Sequence, residues 1–132
     1  YNFIAFDKGI KKVCRPNQYF GVKSAQDYIR SDTGGILWHT QGSGKSLTMV
    51  WLSKWILENV DNSRVLIITD IYGATPSNIL KQYTTQSNIE VVTGLNLPML
   101  IQAITNRDGT LSHVTNICMQ SAEDGIIKMD SK

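Results

Sequence analysis

ILWHTQGSGKS, residues 36–46, is the stretch on which the reading of this chain turns. Three apolar residues run into a glycine-broken polar loop, and Leu47, Val50, Trp51, Trp55 and Leu57 then recur at helical spacing. The pattern predicts a short strand over residues 36–38, a phosphate-binding loop, and a helix over residues 46–59 packed against a sheet. In such a loop, successive backbone N–H groups converge on phosphate oxygens and the following helix adds the positive end of its dipole. Gly42 and Gly44 supply backbone shapes and a close approach that a Cβ would obstruct. Thr40, Gln41 and Ser43 complete the cradle, Lys45 would reach the β- and γ-phosphates, and Ser46 would offer its hydroxyl to magnesium. A nucleoside triphosphate with Mg2+ is therefore the expected ligand. The full GxxxxGK[ST] pattern is not met, because His39 stands in place of its first glycine, whereas the shorter GxGK[ST] form is intact. A glycine turn followed by an exposed lysine is the structural alternative. His39 itself has three readings: a nucleophile that carries phosphate, a neighbour of the γ-phosphate, or a histidine hydrogen-bonded within the loop.

Working outward, Lys8, Lys11, Lys12 and Arg15 form a basic cluster able to face phosphate. Pro16 then breaks the chain, and Tyr19, Val22, Ala25, Gln26 and Ile29 predict a helix that Asp32, Thr33, Gly34 and Gly35 end. Downstream, Val65-Leu66-Ile67-Ile68 is a continuous apolar run, as in a parallel strand covered on both faces, with Asp70 at its carboxyl end. A helix over residues 76–83 is expected, capped by Thr75 with Pro76 in its first turn. A strand at 89–92, helices at 98–106 and 111–121, and a short terminal strand at 125–129 complete the pattern. Strands alternating with helices predict an α/β fold in one domain over residues 1–132: three layers, a mostly parallel sheet with helices on both faces, containing a phosphate loop.

A chain of 132 residues supports one buried core, and a net charge of only +2 gives no argument for a nucleic-acid surface. No apolar run approaches the length needed to cross a bilayer and no signal peptide opens the chain, so a cytoplasmic location without membrane insertion is expected. The chain begins at Tyr1 rather than Met, which reads as a fragment or a processed product. Cys14 and Cys118 are expected as free thiols in a reducing compartment, with a disulfide between them left open. Cys14, His39, His113 and Cys118 lack compact ligand spacing for zinc, nothing points to haem or flavin, and His113 reads as structural.

Residues 1–70 carry a family resemblance. KKVCRPNQYFGVKSAQDYIRS (11–31), GGILWHTQGSGKSLTMVWLSKWI (34–56) and RVLIITD (64–70) resemble the motor domain of the restriction subunit of type I restriction–modification enzymes. The resemblance implies an ATP-driven translocase of the superfamily 2 helicase class that pulls duplex DNA beside modification and specificity subunits. It places Gln18 where such motors read adenine, and Gly42, Gly44, Lys45 and Ser46 on the phosphate motif. An amide does offer the donor and acceptor pair that an adenine edge needs. The departure lies downstream. No DExx sequence follows, and the only later acidic pair, Glu123-Asp124, sits at a helix end. Hydrolysis in this chain is therefore expected to be weak or absent. Lys45, Asp70 and His39 are the catalytic candidates, with Asp70 weighed as a magnesium ligand.

A second resemblance covers residues 65–128. VLIITDIYGATPSNI (65–79), EVVTGLNLPML (90–100) and EDGIIK (123–128) resemble the C-terminal half of the mannose/fructose-type enzyme IIA domain of the sugar phosphotransferase system. That likeness implies a homodimer that accepts phosphate from a histidine phosphocarrier protein. Asp70 would polarise the phosphorylated histidine, while Gly73, Thr75, Pro76 and Asn78, with Gly94, Asn96 and Pro98, would shape the neighbouring loops. The upstream histidine available is His39, 31 residues before Asp70, too close for that family's topology. The chain thus divides into a motor-like half (1–70) and an enzyme IIA-like half (71–132). A nucleotide-binding module is the leading expectation, a phosphocarrier domain the alternative, and an inert folded fragment the third.

Overall fold

The computed structural model describes residues 3–7, 9–72 and 86–129. Strands β1 (Ile4–Asp7) and β2 (Ile10–Val13) form an antiparallel hairpin. Gly9 turns it at φ +78°, in the left-handed region that favours glycine. Helix α1 (Pro16–Arg30) starts where proline tolerates the loss of its N–H, and the Gln18 side chain reaches back to accept the Arg15 N–H at 2.8 Å. Its end falls at Ser31, with Asp32 at φ 53°. Helix α2 (Lys45–Asn59) follows the glycine-rich loop.

Strands β3 (Val65–Thr69) and β4 (Ile89–Thr93) pair in parallel, with Val65 opposite Ile89 and Thr69 opposite Thr93. Helices α3 (Leu97–Thr105) and α4 (Leu111–Asp124) then form an antiparallel pair joined by a short turn. Alternation along β3 sends Val65, Ile67 and Thr69 one way and Leu66 and Ile68 the other. On the first face Val65, Ile67 and Ile89 pack with Val50 of α2. On the second, Leu66, Ile68 and Val92 pack with Met99, Val114, Cys118 and Ala122 of the α3–α4 pair. A third cluster seats the hairpin on α1 and α2 through Ala5, Val22 and Trp51, with Phe3 in ring contact with Tyr19 at 4.9 Å. Each such large apolar side chain contributes roughly 1.5–3 kcal/mol by leaving water.

The expected three-layer, mostly parallel sheet is not what the chain forms. Among the described residues the strands make two separate two-stranded sheets, and helices hold far more of the chain than strands do. Residues 36–38, expected as the strand before the loop, are extended coil, and no backbone hydrogen bond among the described residues uses residues 34–38. Ile36 and Trp38 are each 90 % exposed. A strand is defined by its partner, and three apolar residues behind Gly34-Gly35 gain too few ladder bonds to hold a place in a sheet. The stretch 125–129 is likewise no strand, and Ile126, Ile127 and Met129 are exposed. The helix expected at 76–83 lies outside the described residues. Cys14 and Cys118 are free thiols in different packing clusters, and burial raises the pKa of both.

One side chain ties both ends of the α3–α4 pair. Asn96 caps α3 by accepting the Met99 N–H at 3.1 Å and donates to the Ala122 carbonyl of α4 at 3.0 Å. Asn96→Ala is expected to lower unfolding stability by about 1–2 kcal/mol in a urea titration, without changing the m-value.

Candidate phosphate-binding loop

Residues 40–46 form a tight loop that delivers the chain into α2. Ser43 closes its first turn by donating to the Thr40 carbonyl through both its N–H (3.3 Å) and its hydroxyl (2.7 Å). Gly42 and Gly44 sit at φ +77° and +84°, where a β-carbon would cost roughly 1–2 kcal/mol in backbone strain. For Gly44 there is a second reason: an added β-carbon would overlap the amide nitrogen of Gln18.

The Gly44 carbonyl is the hub of the site. It accepts from the N–H groups of Leu47 (3.1 Å) and Thr48 (3.2 Å), from the Thr48 hydroxyl (3.4 Å) and from Gln18 Nε2 (2.9 Å). Asn17, which the sequence reading passed over, donates to the Ser43 carbonyl at 3.4 Å. Its signal was its place beside Gln18 in the first turn after Pro16. Against this inward-turned row of carbonyls, the N–H groups of Gly42, Gly44, Lys45 and Ser46 make no hydrogen bond among the described residues. The Ser46 hydroxyl makes none there either. The Lys45 ammonium, at the first helical position, donates to the carbonyls of His39 (3.2 Å) and Thr40 (3.1 Å). Thr40, Gln41, Gly42 and Lys45 are all exposed.

This set suits a polyphosphate. Unpartnered amides and the positive end of a 15-residue helix attract anion charge, and glycine removes the side chains that would keep it away. The Ser46 hydroxyl is the group available to a magnesium ion. A cavity of about 350 Å³ lies not at the loop but behind its approach, between Ala25, Tyr28 and Ile29 of α1, residues 33–37 and Leu52 of α2.

Gln18 is 1 % exposed, and its two polar ends face Arg15 and Gly44 inside the protein. The half-buried His39 ring lies against Gly21 of α1, while the exposed Asp70 carboxylate accepts the N–H of Ile71 at 2.9 Å. No hydrogen bond or ion pair joins His39 to Asp70 among the described residues. His113 is exposed on α4. No helix among the described residues is long and apolar enough to cross a membrane.

Comparison with known proteins bears on the same stretch. Two curated relatives resemble part of the chain: the type I restriction enzyme HindI endonuclease subunit of Haemophilus influenzae, 38 % identical over 72 residues, and the putative type I restriction enzyme MjaVIIP endonuclease subunit of Methanocaldococcus jannaschii, 34 % identical over 68. These matches cover 48 % and 46 % of this chain but only 7 % and 6 % of the relatives' own lengths. No solved structure matches the chain. The family model of the SWI2/SNF2 ATPase matches residues 17–115, from Asn17 beside the loop through most of the stretch read as enzyme IIA-like, and nothing found supports a phosphotransferase segment. With three quarters of its length inside that match, the chain belongs to the SWI2/SNF2 ATPase family.

Proposed function

We propose that this chain binds the polyphosphate of a nucleoside triphosphate, ATP in its family setting, as the phosphate-gripping part of a restriction-type DNA motor. The observation that carries the reading is the row of unpartnered amides at Gly42, Gly44, Lys45 and Ser46, set at the start of α2 beside one ammonium group. The Lys45 ammonium rests on two carbonyls, and phosphate oxygens of full negative charge are stronger acceptors than either. Lys45 would exchange the His39 and Thr40 carbonyls for the β- and γ-phosphates. Helix α2 lends its positive end, and Gly42 allows phosphate to approach the backbone. Ser46 would hold magnesium, which when bound neutralises phosphate charge.

Turnover is a separate matter. Glu123 and Asp124 close α4 rather than ending a strand, so they do not form an acidic pair at a strand end. Asp70 follows β3, and its carboxylate is held by the neighbouring N–H. The chain by itself is thus a binding module with weak hydrolysis or none. Duplex DNA, and modification and specificity subunits, are the partners proposed for the complete motor, by analogy with restriction-enzyme relatives.

Two substitutions test this. Lys45→Ala is expected to weaken ATP–magnesium binding by about a hundredfold in isothermal titration, the loss of a charge-assisted contact, with an unchanged melting temperature. Unaltered affinity in that variant would refute the reading. Ser46→Ala is expected to cost about tenfold in the presence of magnesium and little in its absence, since the hydroxyl would act through the ion.

A further inference from the structure

We propose that the cavity between the second face of β3 and the α3–α4 pair binds a small aliphatic carboxylate. Arg64 and Arg107 would hold the acid group, and the apolar floor would hold the chain. The cavity lies on the face of β3 opposite α2, so the inference is independent of the phosphate-binding reading.

Alternation along the chain puts Arg64, just before β3, in line with Leu66 and Ile68. One wall of the cavity therefore begins with a cation and continues with two apolar side chains. Ala103 of α3, with Leu111 and Val114 of α4, completes the floor. The short alanine side chain leaves room there, and the space amounts to about 200 Å³. Arg107, four residues on from Ala103 and just past the end of α3, adds the second cation.

No acidic residue lines this cavity. Among the described residues neither guanidinium has an ion pair. Arg64 donates through Nη1 to the Gly109 carbonyl, which steadies the group and leaves most of its N–H donors unspent. The Arg107 side chain makes no hydrogen bond or ion pair among the described residues.

Two like charges without a counter-charge favour an anion, and a carboxylate matches the planar fork of a guanidinium. The floor and the volume set the rest of the ligand. Leu66, Ile68 and Val114 offer nothing to a polar tail, so a sugar phosphate would gain from the charges alone. A branched acid of about six carbons gains from both parts of the site, and the space is too small for a larger one.

The test is an NMR titration of the full chain with isocaproate, its amide and acetate at neutral pH, followed on the methyl resonances of Leu66, Ile68, Leu111 and Val114. Isocaproate is expected to bind with a dissociation constant of about 1 mM, and the amide and acetate about tenfold more weakly or worse. Arg107→Met keeps an unbranched stem and removes the charge. It is expected to leave the melting temperature unchanged and to weaken isocaproate by about tenfold. Ala103→Leu fills the space and is expected to abolish the shifts. Should Ala103→Leu not fold, Arg107→Met carries the test. Equal affinity for acid and amide, an affinity unmoved by Arg107→Met, or no methyl shift up to about 20 mM isocaproate overturns the inference. So do shifts confined to the amides of Gly42 to Ser46, which would put the carboxylate on the loop before α2 instead.

Discussion

The hydrogen bond from the Gln18 side chain to the Gly44 carbonyl joins two elements that lie 26 residues apart in sequence. It is made in the buried seam between α1 and the start of α2, where an unpaired amide would cost about 1–3 kcal/mol. That cost makes the contact a constraint: if Gln18 leaves, the Arg15 N–H loses its acceptor and the Gly44 carbonyl loses one of its donors. Because Gly44 is also the cap of α2, the same bond sets where the helix begins and how the loop before it is presented. Val22 and Trp51, each almost fully buried, press the two helices together behind it.

Beyond that seam the chain is built around a small parallel pair. β3 and β4 are only five residues each, and neither would persist alone. α2 covers one face and the α3–α4 pair the other, so two strands serve as the wall between two apolar clusters. The carboxyl end of β3 therefore points to the same side as the amino end of α2. Thr69 is buried there with a hydroxyl that has no partner among the described residues, and exposed Asp70 follows it. Parallel pairing brings the carboxyl ends of β3 and β4 to that one edge, whatever the number of strands.

Much of the element order was legible in the sequence. Apolar spacing marked α1, α2, α3 and α4 to within a few residues, since each buries one face against a neighbour whose identity matters little. Val65-Leu66-Ile67-Ile68 was equally plain, because a strand covered on both faces must be apolar throughout. Residues 36–38 and 125–129 misled for a common reason. Apolar composition makes a segment able to pair, but only a partner in register makes it a strand, and the partner is a long-range fact. The glycine-rich loop ahead of α2 was legible at the level of residue types.

Gln18 marks the boundary between the two kinds of knowledge. Its residue type and its place after Pro16 suggested an amide available to a base. Nothing local indicated that Gly44 would stand against it. The sequence by itself determined the glycines that permit positive φ, the lysine and serine at the helix start, and the amphipathic faces, because these follow from the steric and polar character of single residues. Tertiary structure alone decided that Ile36 and Trp38 remain without a sheet, that His39 and Asp70 are unlinked, and that α1 holds the loop carbonyls. Those outcomes depend on which distant groups meet, and a peptide unit faces outward only when something on its other side draws its carbonyl in.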